Sequence, residues 1–305
     1  MAQKTARVRM GTRGSALARA QSSLVARALE AAHPGLTVET VVVVTSGDLF
    51  GAPSVEEAKA LPQGAKGYWV KEIEQSLLDR AIDFAVHSAK DLPAVLHPGL
   101  AIAAYPERED PRDALVARDG LDWNGLAPGA RVATSSLRRG LLLRELKPGV
   151  EVVPLRGNVD TRLAKLASGE FDAMILAAAG LKRLGLAVER ARPLDAREMI
   201  PAPAQGALAL EARGDRADVA RLLGALDHGP TRACVELERA FLAAVGGGCG
   251  SPVAAHARLG DGGLSLNAFF ARDGEAAGRR VEGLLTNPAS RDAFAAELAA
   301  RAAAR

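Results

Sequence analysis

The sequence predicts an α/β protein in which two lobes with mainly parallel sheets precede a small α+β domain. Over the first two-thirds of the 305-residue chain, short β-branched runs alternate with amphipathic helical patterns. Strands separated by helices of about ten residues or more form parallel sheets that are covered on both faces. Proline-containing segments at 105–111 and 200–203 interrupt the alternation, and its character changes after Pro230.

The first series of elements precedes the break at 105–111. It comprises predicted strands and helices at 7–10, 15–32, 36–45, 68–81 and 84–87. Pro34 and Gly35 end the first helix, because proline cannot continue a helix and glycine is common just beyond one. The segment 48–67 has little periodicity, and a connection of about twenty residues predicts either a functional lid or a tolerated surface insertion.

The second series starts near Arg112. It comprises predicted elements at 132–134, 137–146, 151–155, 159–167 and 173–177, the last running into a helix through 184. A strand at 207–212 is predicted to return to the first lobe. A helix at 231–245 and strands at 253–259 and 264–272 form the small α+β domain. The predicted domains are 1–106 with 207–228, 107–206, and 229–305.

Composition excludes several classes of protein. Apolar residues make up 48% of the chain, which argues against disorder. The chain has 39 Lys and Arg residues against 36 Asp and Glu residues, so its net charge is too small to attract nucleic acid over the whole surface. Two cysteines cannot form a disulfide framework, and no metal-binding spacing is present. No apolar run has the length of a membrane span or a signal-peptide core. We expect a reduced, cytoplasmic protein without metal, nucleic-acid or membrane partners.

Three predicted strand ends share one design. At 12–15, 134–139 and 156–162, hydroxyl or amide residues and arginine stand where a strand gives way to a helix. Helix N-termini bind anions through unpaired N–H groups, and arginine adds donors suited to carboxylates. One such strand end is more typical of ordinary helix capping with a solvated arginine. Three of them at the carboxyl ends of strands predict a polyanion-binding cleft.

Further reactive groups lie outside these strand ends. Asp91 follows a strand beside Lys90, and such a pair is often a surface salt bridge. In a cationic cleft, Asp91 would instead be the partner for a developing positive charge or an N–H donor. Cys249 lies in the glycine-rich segment 246–252, which suits a nucleophile or a covalent attachment point, and a thiol on a structural turn is the alternative. Cys234 has core-facing helical spacing and is interpreted as a buried small hydrophobic residue.

The sequence resembles the porphobilinogen deaminases, also called hydroxymethylbilane synthases. The resemblance extends over the whole chain and is carried in order by GTRGSALARAQ at 11–21, KGYWVKEIE at 66–74, AVHSAKDLP at 85–93, EREDPRDA at 107–114, ATSSLRR at 133–139, LRGNVDTRL at 155–163, AAGLKRLG at 178–185, PAPAQGALALE at 201–211 and GGGCGSPV at 246–253.

The resemblance implies two periplasmic-binding-protein-like lobes and a small domain that carries a cofactor. In this family a dipyrromethane, which the protein assembles from its own substrate, is bound through a thioether at the position of Cys249. The implied reaction joins four porphobilinogen molecules head to tail with loss of ammonia. Hydrolysis then releases linear hydroxymethylbilane for tetrapyrrole and haem biosynthesis. A monomer is expected.

The resemblance also implies residue roles. Asp91 is the expected catalytic residue, contacting pyrrole N–H groups and stabilising the cationic azafulvene formed when ammonia leaves. The residues expected to bind the cofactor, besides Asp91 and Cys249, are Lys90, Thr134, Ser136, Arg138, Arg139 and Arg162. Those expected to bind substrate or to belong to the lid are Arg13, Ser15, Arg156, Arg183, Trp69 and Lys66.

One expectation about variants follows from this interpretation. Replacing Arg138 or Arg139 should impair cofactor assembly or chain growth while leaving the fold largely intact.

The alternative function is a non-enzymatic anion receptor of the periplasmic-binding type. It would share the two lobes and the cationic cleft, but the expected absence of a signal peptide and the domain that carries Cys249 argue against it.

Overall fold

The computed structural model describes residues 6–46, 67–118, 120–155, 157, 159–186, 191–246, 251–272 and 274–304. The strands in this part of the chain are β1 (Ala6–Thr12), β2 (Leu36–Val42), β3 (Phe84–Ser88), β4 (Leu100–Ala104), β5 (Asp113–Ala117), β6 (Arg131–Ala133), β7 (Glu151–Val153), β8 (Ala173–Ala177), β9 (Ala191–Pro193), β10 (Leu208–Arg213), β11 (Val253–Gly260), β12 (Gly263–Phe270) and β13 (Arg279–Leu285).

Eight α-helices accompany these strands in the described residues. They are α1 (Ala16–Ala32), α2 (Gly67–Leu78), α3 (Leu137–Leu146), α4 (Val159–Ala167), α5 (Ala178–Arg183), α6 (Ala217–Leu223), α7 (Gly229–Ala244) and α8 (Arg291–Ala303). Single turns of 3-10 helix cover Ala89–Asp91, Gly224–Leu226 and Pro288–Ser290. The chain divides into two compact units, Met1–Glu109 with Ala207–Ala233, and Asp110–Gly206 with Cys234–Arg305.

The first unit is built on a five-stranded sheet of order β2-β1-β3-β10-β4. Strand β1 pairs in parallel with both β2 and β3, whereas β10 runs antiparallel to β3 and β4. Hydrophobic side chains cover both faces, one with Val25 and Leu29 of α1 and the other with Ile73 and Leu77 of α2. Burial on both faces explains why β3 reads as an almost continuous apolar run.

The second unit contains a five-stranded sheet of the same plan, in the order β7-β6-β8-β5-β9. Strand β6 pairs in parallel with β7 and β8, and β5 runs antiparallel to β8 and β9. Both sheets therefore have one antiparallel strand in the fourth position. In each sheet the carboxyl ends of three neighbouring parallel strands lie at the same edge.

The C-terminal part of the second unit is a separate antiparallel sheet of order β11-β12-β13 with α8. Ala254 and Phe269 of this sheet belong to the same hydrophobic cluster as Leu115 of β5 and Leu142 of α3. A β-methyl group at Gly283 would lie 2.9 Å from the ring of Phe294, so α8 requires a residue without a side chain there. The division of this unit into a lobe and a third domain stays a prediction.

The predicted fold class is confirmed by this topology, including the return of β10 to the first sheet. Several bounds differ: the strand predicted at 36–45 ends at Val42, and the one predicted at 151–155 ends at Val153. Other elements lie where none is predicted from the sequence: β4, β5, β9, β13, α6 and α8. The four strands are short or carry charges, and their pairing partners include segments distant in sequence, which local periodicity does not reveal.

Candidate anion-binding and catalytic site

The first unit places two of the predicted site segments at one sheet edge. Because β1 and β3 are parallel neighbours, their carboxyl ends lie side by side. After β1, Ser15 caps α1, and its Oγ accepts a hydrogen bond from the backbone N–H of Ala18 at 3.3 Å. The first turn of α1 contains no acidic residue, so its positive end remains available to an anion near Arg13.

The segment that carries Lys90 and Asp91 is held from two sides. It forms a 3-10 turn directly after β3, and the backbone N–H of Ala89 donates to the carbonyl of Ala207 at 3.0 Å. The side chain of Ser88 contacts the buried amide of Gln21 on α1, with Nε2 of Gln21 2.9 Å from the Ser88 hydroxyl. These contacts fix the backbone from which Asp91 projects.

The second unit brings together three helix starts at one edge of its sheet. Strands β7, β6 and β8 are consecutive parallel neighbours, and each leads into a helix. At the start of α3, the Oγ of Ser136 accepts from the backbone N–H of Arg139 at 3.4 Å. Thr134 is buried, and its Oγ1 accepts from the backbone N–H of Ser136 at 3.2 Å. This edge therefore brings three helix starts, which favour anions, together with Arg138, Arg139 and Arg162.

Arg138 and Arg139 of α3 are buried, with 4% and 9% of their surface exposed, and both contact the fully buried Asp113. Arg138 Nη1 donates to Asp113 Oδ2 and Arg139 Nη2 to Asp113 Oδ1, each at 2.7 Å. Breaking a buried ion pair by removing one partner costs about 3–5 kcal/mol. The expectation that replacing either arginine leaves the fold largely intact is therefore corrected: such variants should also lose stability. Cofactor binding by both residues stays a prediction.

Arg162 lies within electrostatic range of this pair. Its Nε donates to the carbonyl of Gly157 at 2.8 Å, in the turn between β7 and α4. Gly157 has a φ of +107°, and a β-methyl group would lie 2.9 Å from Thr161, so the turn requires glycine. Burial and the nearby charge of Arg139 lower the pKa of Arg162. A bound carboxylate would relieve this repulsion between the two guanidiniums.

The remaining predicted site residues divide into two groups. Arg183 ends α5, and its Nη2 donates to the carbonyl of Gly206 at 2.7 Å. Lys66, Arg156, Cys249 and the side chain of Trp69 lie outside the described residues. Their roles stay predictions.

Cys234 on α7 is buried, as the sequence predicts.

In the described part of the chain, no group of His, Cys, Asp and Glu residues could hold a metal ion. No helix described in the structure combines the length and the apolar character needed to cross a membrane.

Buried acidic side chains form a cluster that sequence reasoning missed. Glu211 of β10 is fully buried, and its Oε2 lies 3.0 Å from Nε2 of the buried His87, without the geometry of a directed hydrogen bond. Burial, and then the charge of Glu211, raise the pKa of Glu74 on α2, whereas His87 and His97 oppose this shift. The sequence signal was present, since Glu211 directly follows the apolar run 207–210, but its partners are distant in sequence.

Glu74→Gln should make the stability of the protein less dependent on pH. The folded-state pKa of Glu74 is raised, so ionisation favours the unfolded state, and stability falls as pH rises through the folded pKa. Glutamine cannot ionise. The melting temperature of the variant relative to wild type should therefore increase between pH 5 and pH 8.

Glu39→Gln is the matched control, because Glu39 forms a partly exposed pair with Arg7 at 3.0 Å. An equal change in melting temperature at both pH values for Glu74→Gln would contradict the role assigned to burial.

The donors of the second sheet edge fit a carboxylate-rich cofactor. The capped start of α3 has no acidic residue in its first turn, and Arg162 lies within electrostatic range of Arg139. Helix starts and guanidiniums both favour carboxylate oxygens. The fold and this edge define an α/β protein whose second sheet is suited to binding a polycarboxylate.

Comparison with known proteins identifies the family. Residues 8–221 match the model described as porphobilinogen deaminase, dipyromethane cofactor binding domain, and residues 232–302 match the porphobilinogen deaminase C-terminal domain. The chain belongs to the porphobilinogen deaminase family. The predicted family, transferase activity and cofactor are confirmed by these matches.

Curated relatives agree over most of the chain. The porphobilinogen deaminase of Sorangium cellulosum is 49% identical over 92% of this chain and 91% of its own length. That of Chromobacterium violaceum is 46% identical over 97% of this chain and 92% of its own length.

Solved structures also show similarity. The methionine binding protein MetQ has a TM-score of 0.45 at 12% identity over 74% of this chain and 91% of that chain. A periplasmic substrate-binding protein from Coxiella burnetii has a TM-score of 0.44 at 16% identity over 73% and 93% of the two chains.

Proposed function

We propose that this chain condenses four porphobilinogen molecules head to tail, with loss of one ammonia per molecule, and then hydrolyses off linear hydroxymethylbilane. The observation that carries the proposal is the convergence of three helix starts on one edge of the second sheet, with Arg139 and Arg162 in electrostatic range of each other. Each porphobilinogen brings an acetate and a propionate, so a growing pyrrole chain accumulates the carboxylates that such an edge binds.

The dipyrromethane, when bound, supplies the free pyrrole position to which the first substrate is joined. The residues that would hold its carboxylates are Lys90, Thr134, Ser136, Arg138, Arg139 and Arg162, with Cys249 as the point of covalent attachment. Ser136 and Thr134 already order the start of α3 through their hydroxyl oxygens. The chain therefore contributes orientation and charge at the start of α3.

Asp91 is the proposed catalytic residue. Positive charge develops on the substrate pyrrole as ammonia leaves, and a fixed carboxylate stabilises that charge more than it stabilises the neutral substrate. The support for this role is the rigid backbone at the end of β3, which Ala207 and Gln21 hold through Ala89 and Ser88. Precise placement matters because electrostatic stabilisation depends on donors and charges that are already oriented.

The other roles complete the proposal. Arg13, Ser15, Arg156 and Arg183 would bind substrate carboxylates, Trp69 would contact a pyrrole ring, and Lys66 would belong to a lid. We propose that the chain acts as a monomer in the cytoplasm, without nucleic-acid or membrane partners, and that it has the three predicted domains, 1–106 with 207–228, 107–206, and 229–305.

Incubation of the purified full chain with porphobilinogen tests the function. One ammonia should be released for each porphobilinogen consumed, and mass spectrometry of the product should show a linear chain of four pyrroles. Intact mass of the protein should show an added two-pyrrole unit. Binding of porphobilinogen without release of ammonia would contradict the proposal and favour the anion receptor.

Arg162→Gln should slow cofactor assembly by about 10- to 100-fold, because a hydrogen bond to a charged group contributes about 1.5–3 kcal/mol. Intact mass of cofactor-free protein incubated with porphobilinogen measures the rate at which the adduct forms. Arg131→Gln is the control, since Arg131 stands at the opposite end of β6 and lies 4.0 Å from the exposed Glu151. Equal rates for the two variants would remove Arg162 from the binding site.

A further inference from the structure

Asp113 is the centre of a buried network that the predicted mechanism does not use. It is the first residue of β5 and is fully buried. Its Oδ2 accepts from Arg138 Nη1 at 2.7 Å, and its Oδ1 accepts from Arg139 Nε at 3.0 Å and Nη2 at 2.7 Å. The same Oδ1 accepts from Gln205 Nε2 at 2.9 Å. One carboxylate thus receives four donated hydrogen bonds from three side chains.

The arginines are also fixed from their other sides. Arg138 Nη1 donates to the carbonyl of Ile200 at 2.6 Å, and Arg139 Nη1 donates to the carbonyl of Ile175 at 3.1 Å. Arg139 therefore donates from all three guanidinium nitrogens. The two guanidiniums can be rotated only if several buried hydrogen bonds break together.

The charges explain why an anion is required at this place. Burial and the charge of Arg139 lower the pKa of Arg138, whereas the two guanidiniums hold the pKa of Asp113 well below its usual range despite its burial. Replacing buried ion pairs by apolar residues of similar volume is often neutral or stabilising. Stability alone is therefore a weak reason for burying Asp113, Arg138 and Arg139 together, and their fixed orientation offers a functional reason.

Gln205 reaches Asp113 from a strained turn. Ala204 has a φ of +61° and Gly206 a φ of +89°, and the backbone N–H of Ala204 donates to the buried Glu238 at 2.6 Å. A residue other than glycine, here Ala204, costs roughly 1–2 kcal/mol in the left-handed backbone conformation that these positive φ angles define. Gln205 itself is 1% exposed and also donates to the carbonyl of Pro111 at 2.8 Å. Strain of this kind persists where the surroundings determine the conformation.

We propose that Asp113 is a positioning residue that orients Arg138 and Arg139 at the start of α3 to receive the carboxylates of the dipyrromethane, with Gln205 steadying its carboxylate. The proposal rests on the proposed function, because it assigns the two arginines to the cofactor. It adds that their orientation is set before the cofactor is assembled.

Asp113→Asn tests the proposal, because asparagine keeps the shape and one acceptor oxygen but removes the charge. Cofactor-free full chain is incubated with porphobilinogen, and intact mass follows the adduct per folded molecule, with the folded fraction taken from circular dichroism. We expect adduct formation to slow at least 10-fold. Asp172→Asn is the control, since Asp172 forms a half-exposed pair with Arg118 at 3.4 Å in the same unit. Adduct formation by Asp113→Asn at the wild-type rate overturns the proposal.

A double-mutant cycle separates positioning from a purely structural role. Arg138→Gln is measured in the wild-type and in the Asp113→Asn background. If Asp113 acts through the arginine, the second substitution should slow adduct formation much less when Asp113 is already replaced. If the two substitutions act independently, their fold-changes in the rate of adduct formation multiply in the double variant, and that result overturns the proposal.

Gln205→Met keeps the test decisive if Asp113→Asn does not fold. It retains the ion pairs and the approximate volume, but removes the amide that donates to Asp113. We expect adduct formation to slow at least three-fold with the fold retained, and the wild-type rate would overturn the proposal. Failure of the proposed function is distinguishable, because wild-type protein would then form no adduct at all.

Discussion

Asp91→Asn should retain the covalent cofactor and lose turnover by ~10²-fold or more, the size of effect found when a comparable electrostatic group is removed. Asparagine keeps the shape of the side chain and one acceptor oxygen, but it removes the negative charge. That charge acts on the steps in which positive charge develops on a pyrrole, so kcat should fall far more than substrate affinity.

Single-turnover measurements on protein whose cofactor content is known by mass separate slow chemistry from failed assembly. Asp91→Glu provides the matched comparison, because it keeps the charge and displaces it along a side chain one methylene longer. It should retain more turnover than Asp91→Asn. Near-normal turnover by Asp91→Asn would assign the catalytic role to another group and leave Asp91 as a partner of Lys90.

Cys249→Ser should abolish covalent attachment and with it sustained activity. A serine hydroxyl is a much weaker nucleophile than a cysteine thiolate, so the thioether on which the two-pyrrole unit depends would not form. Peptide mapping of wild-type protein should place the added mass on the peptide that contains Cys249. Active wild-type protein with an unmodified Cys249 would rule out this assignment.

Cys234→Ala is the control for the cysteine assignment. Cys234 is buried on α7, so the substitution removes one buried sulfur atom and costs at most a few kcal/mol of stability. The adduct should remain, and loss of the adduct in a folded Cys234→Ala protein would contradict the division of roles between the two cysteines.

The sequence predicts those parts of the fold that have strong local patterns. The helix at 137–146 and the strand at 173–177 have the bounds predicted for them, because both have a strong apolar pattern and Pro148 and Gly149 follow the helix. Strand β9 has three residues and pairs with β5, distant in sequence, so no local pattern reveals it. The helix α8 is a different case, since its alanine-rich sequence favours a helix that could have been predicted.

The candidate site could be predicted as a set of residue types but not as a set of contacts. Capping residues and arginine after a strand are visible in the sequence at 134–139. The burial of Arg138 and Arg139 against Asp113 is not visible, because Asp113 lies about 25 residues earlier, on a strand that was not predicted. The proximity of Glu74 to Glu211 depends equally on a long-range strand pairing.

The position of β10 in the first sheet determines when each sheet can be completed during synthesis. Strands β3 and β4 both pair with β10, which stands between them. The first sheet therefore stays incomplete until residue 213 has left the ribosome, whereas every strand of the second sheet lies between Asp113 and Pro193. The second sheet can thus close before the first, in the reverse of the usual N-terminal-first order. Until then, the nascent chain exposes the unpaired edge of β3, where another strand could add.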